Sequence, residues 1–179
     1  MHSDLKKILF TEQQINSAVR KLGAQLSTEY VDKQPIVICV LKGAVLFMVD
    51  LVKRMEIPLE MDFMAISSYG DSSQSTGVVR ILKDLDRPVE GRHVLIVEDI
   101  VDTGLTLAYL KETLLHRHAS SVRVVALFDK PEGRKVEISI DYCGYTVPND
   151  FIVGYGLDYA EKYRNLPYVG VLKPEVYCK

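Results

Sequence analysis

Cysteine is scarce and scattered in this chain: three in 179 residues, Cys39, Cys143 and Cys178. The odd number and the absence of any CxxC pair exclude a disulfide framework and a structural zinc site, and fit reduced thiols inside a cell. Neither sign of charge dominates. With 22 basic residues against 24 acidic ones, no global basic field invites nucleic acid. Long hydrophobic runs are lacking too. The longest apolar region, IVICVLKGAVLFMVDLV, is interrupted by Lys42 and Asp50 and is not expected to cross a membrane. The opening MHSDLKKILF has no apolar core of the length a signal peptide needs. Repeats, low-complexity segments, linkers and a GxxxxGK[ST] phosphate loop are all missing. What remains is a soluble, cytoplasmic, single globular domain, with 47% apolar residues to build a sizeable core.

Periodicity supplies the elements. TEQQINSAVRKLGAQLSTEY starts with Thr11 and places Gln14 three positions on, a capping box. Ile15, Val19, Leu22 and Leu26 follow at helical spacing. IVICVL (36–41) is a continuous apolar, β-branched run of the kind buried on both faces of a parallel sheet. After Lys42-Gly43, AVLFMVDLVKRM predicts a helix, and LEMDFMAISSY (59–69) alternates as a strand should. GDSSQSTG (70–77) is a polar, glycine-bounded loop of mobile composition. VVRILKDL, HVLIVED and SVRVVALF read as strands, 103–118 as a helix, and YCGYTV, FIVGYG and YVGVL as shorter β pieces. The alternation predicts an α/β fold with a parallel sheet, whose ligands bind beyond the carboxyl ends of the strands. Lys42-Gly43, Glu98-Asp99 and Asp129-Lys130 end three of those strands.

The segment VLIVEDIVDTGLT (94–106) carries the most chemistry. A buried strand runs into Glu98, Asp99 and Asp102, then into Thr103, Gly104, Leu105 and Thr106. Unpaired amides at a helix start carry partial positive charge, a glycine lets the backbone approach a ligand, and two hydroxyls can donate: a cradle for a phosphate monoester. The acids before it suit sugar hydroxyls or hydrated magnesium. Phosphate at one end and diol at the other describe a ribose 5-phosphate. The plainer alternative makes Asp102 and Thr103 simple helix caps; a phospho-acceptor aspartate would leave 103–106 unexplained.

This segment is similar to the phosphoribosyl-pyrophosphate signature of the type I phosphoribosyltransferases. FIVGYGLDYAEKYRNLPYVGVL (151–172) resembles the purine-binding tail of the hypoxanthine-guanine phosphoribosyltransferases, in their short bacterial form, and VLKGA (40–44) and SSYG (67–70) match that family's diphosphate loop and lid. The resemblance implies a single domain over 1–179: a parallel central sheet flanked by helices, a small purine-binding hood mostly from 130–179, and a mobile lid at about 67–77. It implies transfer of the 5-phosphoribosyl group from phosphoribosyl pyrophosphate to hypoxanthine, and to guanine, releasing diphosphate. It implies Mg2+ as cofactor, small-molecule substrates rather than nucleic acid or membrane, and a homodimer or homotetramer.

Roles follow from the same likeness. Glu98 and Asp99 hold the ribose hydroxyls, directly or through magnesium, and Asp158 helps hold a second magnesium. Asp102 is the general base, facing the five-membered ring of the purine. Thr103, Gly104, Leu105 and Thr106 take the 5-phosphate; some members carry Lys where Leu105 stands, so here amides and hydroxyls serve alone. Lys42 and Gly43 offer amides to the diphosphate across a cis Leu41–Lys42 peptide, and Arg164 meets the same group. Ser68 and Tyr69 close over the centre. Phe151 stacks on the purine, Lys130 donates to its 6-oxo group, and Ile152 offers backbone to the opposite edge. Read singly, Lys42 is a solvated charge, Phe151 and Tyr69 are ordinary aromatics, and Asp158 with Arg164 is an ion pair. A regulator that senses the same ligand while binding RNA or DNA needs a basic face, and only KPEGRK (130–135) offers one. Adenine as the base is opposed by Lys130, since adenine's 6-amino group is itself a donor.

Overall fold

Thr11 accepts from the Gln14 amide at 3.3 Å while the Gln14 side chain accepts from the Thr11 amide at 2.9 Å. This reciprocal cap starts helix α1, Glu12–Glu29. Its buried stripe contains the predicted Ile15, Val19, Leu22 and Leu26, each worth about 1.5–3 kcal/mol of apolar burial. The computed structural model describes residues 2–68 and 79–178. Tyr69, the GDSSQSTG loop and the side chain of Ser68 therefore lie outside the described residues.

Nine strands and three further helices complete the described chain: β1 Leu5–Phe10, β2 Ile36–Leu41, α2 Val45–Val52, β3 Glu60–Ser68, β4 Val79–Lys83, β5 His93–Val101, α3 Leu105–His116, β6 Ser121–Asp129, β7 Tyr142–Thr146, β8 Ile152–Val153, β9 Val169–Leu172 and α4 Pro174–Tyr177. The main sheet has the order β4-β3-β2-β5-β6-β7. All its pairings are parallel except β3 with β4. The continuous apolar run of β2 is explained by burial on both faces. Val37 and Cys39 join the core under α1 and α2; Ile36, Ile38 and Val40 join the core under α3.

A second sheet, β1-β9-β8, is antiparallel. Its first strand was not expected. LKKILF carries two lysines and shows mostly exposed or half-exposed side chains, so it lacks a strand's alternation, and only pairing with β9 fixes it. The hood region predicted from 130 onward thus takes a strand from the other end of the sequence. Strand β5 also corrects an expectation, because it continues past Asp99 to Val101. Alternation along those extra residues decides how the site is laid out.

Candidate active site

The carboxyl ends of β2, β5 and β6 lie side by side at one rim of the sheet. Cys39 is in register with Val97, and Val101 with Asp129. The residues following that second pair are Asp102 and Lys130, so parallel register alone brings them together. Lys130 Nζ sits 2.8 Å from Asp102 Oδ2. The lysine side chain is only 14% exposed, which excludes a freely solvated charge in the KPEGRK turn. The helix-cap reading of Asp102 also fails. The N-cap of α3 is Gly104, in the left-handed region at φ 79°, with no side-chain cap bond.

Two cavities meet at Asp102. One, about 290 Å³, is lined by Asp99, Lys130, Phe151, Ile152 and Asp158 among others. The second, about 210 Å³, is lined by Glu98, Thr103, Gly104 and Thr106. Ile100 and Asp102 belong to both. Because Glu98 and Asp99 are consecutive in a strand, they face opposite sides of the sheet. Glu98 serves the Thr-Gly turn and Asp99 the cavity of Lys130 and Phe151. The joint role expected of them, holding one sugar, therefore requires a ligand that lies over the sheet edge.

Both acids occupy unfavourable ground. Burial, together with the Asp99 carboxylate beside it, pushes the Glu98 carboxyl well above the usual range. Burial likewise raises Asp99 to about 6, with Asp158 pushing the same way and the Ile100 amide and Arg164 opposing. The Ile100 amide donates to Asp99 at 2.8 Å. Gly43 permits this packing. A Cβ built on it would fall 1.8 Å from Asp99 Oδ2, and a Cβ on Gly156 would fall 2.0 Å from the Gly43 carbonyl. Among the described residues no three His, Cys, Asp or Glu side chains form a ready metal cluster. Two carboxylates held at an energetic cost do fit Mg2+, which takes one or two carboxylates and completes its shell with ligand oxygens and water.

The raised Asp99 carboxyl has a consequence for stability. Unfolded, it ionises near its ordinary 3.8; folded, only near 6. The stability of its protonated form is full below the first value and lost as pH rises through the second. Asp99→Asn should therefore stabilise the ligand-free protein most above pH 6, by on the order of 3 kcal/mol, with the gain shrinking toward pH 4. Calorimetric Tm values across that range, without divalent ions, would check this; a gain independent of pH would refute the burial-of-charge argument.

Other expected residues are placed less directly. Lys42 follows a Leu41–Lys42 peptide that is cis, but its Nζ meets Glu161 at 3.0 Å. Arg164 pairs with Asp158 at 2.8 Å, donates to the Gly156 carbonyl at 2.7 Å and approaches Glu161 at 3.4 Å. Neither side chain lines the two cavities, and Leu105 does not either. In this arrangement Asp158 and Arg164 are the ion pair that a plain reading allowed. Phe151 is 38% exposed and stacks on Tyr177 at 4.8 Å between ring centres. Ile152 is buried in β8. Sequence reasoning missed Glu161, Gly133 and Arg134, whose only signal was the charge of their segments.

Known proteins resemble this chain over its whole length. Residues 7–160 match the model of the phosphoribosyl transferase domain. The chain is 57% identical over 177 residues to the hypoxanthine-guanine phosphoribosyltransferase of Bacillus subtilis, covering 99% of this chain and 98% of that one. It is 56% identical over 179 residues to the bifunctional protein TilS/HprT of Listeria monocytogenes, where it spans all of this chain but 28% of the longer protein. A crystal structure of a Staphylococcus aureus hypoxanthine phosphoribosyltransferase superposes with a TM-score of 0.96 at 50% identity, covering 99% of this chain and 96% of that one. The chain belongs to the phosphoribosyltransferase family.

Proposed function

We infer that the chain transfers the 5-phosphoribosyl group of phosphoribosyl pyrophosphate to hypoxanthine and guanine in purine salvage, as the names of its full-length relatives indicate for those proteins. The observation that carries this reading is the Lys130–Asp102 pair at 2.8 Å on the wall of the cavity that also holds Phe151. An ammonium beside a carboxylate offers a donor next to an acceptor. A 6-oxopurine offers the complement: an oxygen acceptor on its six-membered ring and an N–H on the adjacent five-membered ring.

In the reaction a ring nitrogen attacks the anomeric carbon, the bond to diphosphate breaks, and the ring proton passes to Asp102 as general base. Lys130 donates to the 6-oxo oxygen and Phe151 stacks on the ring. The Thr103–Thr106 turn binds the 5-phosphate at the start of α3. Glu98 and Asp99 bind the ribose hydroxyls and, with Asp158, are the residues that would hold magnesium. Bound Mg2+ would neutralise the departing diphosphate. Lys42, Gly43 and Arg164 serve the diphosphate side, which requires Glu161 to release Lys42. We read the protein as a cytoplasmic homo-oligomer; half-exposed Leu46 and Val49 on α2 suit a subunit contact, and no helix among the described residues is long and apolar enough to cross a membrane.

The test is direct. The purified chain with phosphoribosyl pyrophosphate and Mg2+ should convert hypoxanthine and guanine to their nucleotides and leave uracil unchanged. Excess chelator should abolish turnover, and added diphosphate should compete with phosphoribosyl pyrophosphate. Full turnover in chelator would remove the metal from the scheme, and no product from either oxopurine would remove the function.

A further inference from the structure

We propose that Arg134 is a positioning residue for this reaction, holding the peptide of Asp102 from behind so that the carboxylate faces the base. The inference rests on the functional reading above.

Its guanidinium is 17% exposed and bridges two strand ends. One amino group donates to the Asp102 carbonyl at 3.0 Å, and the other pairs with the Asp129 carboxylate. Asp129 ends β6 opposite Val101, so it is a fixed anchor one residue away in register from the group being held. Two separate acceptors suit the planar fork of Arg and not the single point charge of Lys. Its neighbours act on the same two residues, Asp102 and Thr103. The Lys135 amide donates to the Thr103 carbonyl at 2.9 Å. Gly133 packs so closely that a Cβ there would fall 1.8 Å from Asp102 Oδ1. Three successive residues of the KPEGRK turn thus define where Asp102 and Thr103 lie.

This hold matters because the Asp102 carboxylate is 45% exposed and its side-chain partner is Lys130. When Lys130 turns to the oxygen of the base, that partner is shared with the substrate. The hold from Arg134 and Gly133 remains, because neither lines the cavity of Lys130 and Phe151. A turn that merely stabilised the fold would need no contact with the catalytic residue's own carbonyl.

The two roles separate in a double-mutant cycle. At saturating substrates, Arg134→Ala should lower kcat about 10- to 100-fold, the scale expected for a misplaced catalytic group, with the KM for phosphoribosyl pyrophosphate changed only slightly. In the Asp102→Asn protein there is no base left to position, so adding Arg134→Ala should change the residual kcat less than about twofold. Asp129→Ala, which removes only the anchor, should lower kcat in the same direction and be silenced by Asp102→Asn in the same way. Should Arg134→Ala fail to fold, the Asp129→Ala cycle decides alone. Losses that multiply in either cycle, or an Arg134→Ala kcat within twofold of the parent, would overturn the proposal. An inactive parent would instead remove the functional reading on which it stands.

Discussion

Asp102→Asn is expected to lower kcat by about 10²–10⁴-fold, the range for a lost general base, and to leave the fold and the affinity for phosphoribosyl pyrophosphate nearly unchanged. Asn is the same size and still offers an oxygen to Lys130, which is 2.8 Å from the native carboxylate. Asp102 is 45% exposed, so water screens the lost charge and the retained oxygen keeps Lys130 partnered. The groups proposed to bind the sugar phosphate, Glu98, Thr103, Gly104 and Thr106, line a cavity that Asp102 shares, and all of them are retained in the variant. What Asn cannot do is take the proton that the purine must lose. Single-turnover kinetics with hypoxanthine would isolate that step from product release. An unchanged rate where chemistry is limiting would reduce Asp102 to a partner for Lys130 and nothing more.

How much of this was legible beforehand depended on whether the cause was local. The capping box at Thr11 and Gln14 and the double-sided burial of IVICVL are written within a few residues, and the structure has both. The acid-rich turn was legible because three carboxylates after a buried strand are costly unless used. The split of Glu98 and Asp99 between two cavities was available in principle from alternation. It was obscured because β5 was expected to end at Asp99, and a strand that ends there has no facing rule for its last residues. Strand β1 was invisible, since its pattern is set by β9, some 160 residues away. The engagement of Lys42 by Glu161 was hidden for the same reason: the two are 119 positions apart. Arg134 looked like one charge in a basic turn, and only the parallel register of β5 and β6 places it behind Asp102.

Asp99 and Glu98 show why such a site costs stability. A strand interior would normally bury apolar side chains at these positions, as it does at Val94–Val97. Two adjacent acids with raised pKa values oppose folding in the absence of a cation. The binding of magnesium and a polyanionic sugar would return that energy, since a ligand that binds only the folded form stabilises it. Gly43 belongs to the same economy: a Cβ there would fall 1.8 Å from Asp99 Oδ2, so any other residue would have to displace that carboxylate.

Lys130→Ala is expected to lose most kcat/KM for hypoxanthine and guanine together, while adenine remains a poor substrate in both proteins. An ammonium only donates, so it pairs with an oxygen at the six position and opposes an amino group there. A charge-assisted hydrogen bond of this kind is worth about 1.5–3 kcal/mol, or on the order of ten- to a hundredfold. Burial of the lysine to 14% exposure puts the effect toward the upper part of that range. The variant also leaves Asp102 without its counter-charge, so kcat should fall along with purine affinity. Folding should survive, because the backbone bond from Lys130 to the Val101 carbonyl at 3.0 Å does not involve the side chain. Binding of phosphoribosyl pyrophosphate, measured by calorimetry without base, should be nearly intact, since Lys130 lines the cavity of Phe151 and not that of the Thr-Gly turn. If oxopurine kcat/KM stays within about twofold, less than ~0.5 kcal/mol, Lys130 does not read the base. Recognition would then fall to Phe151 and the backbone of Ile152.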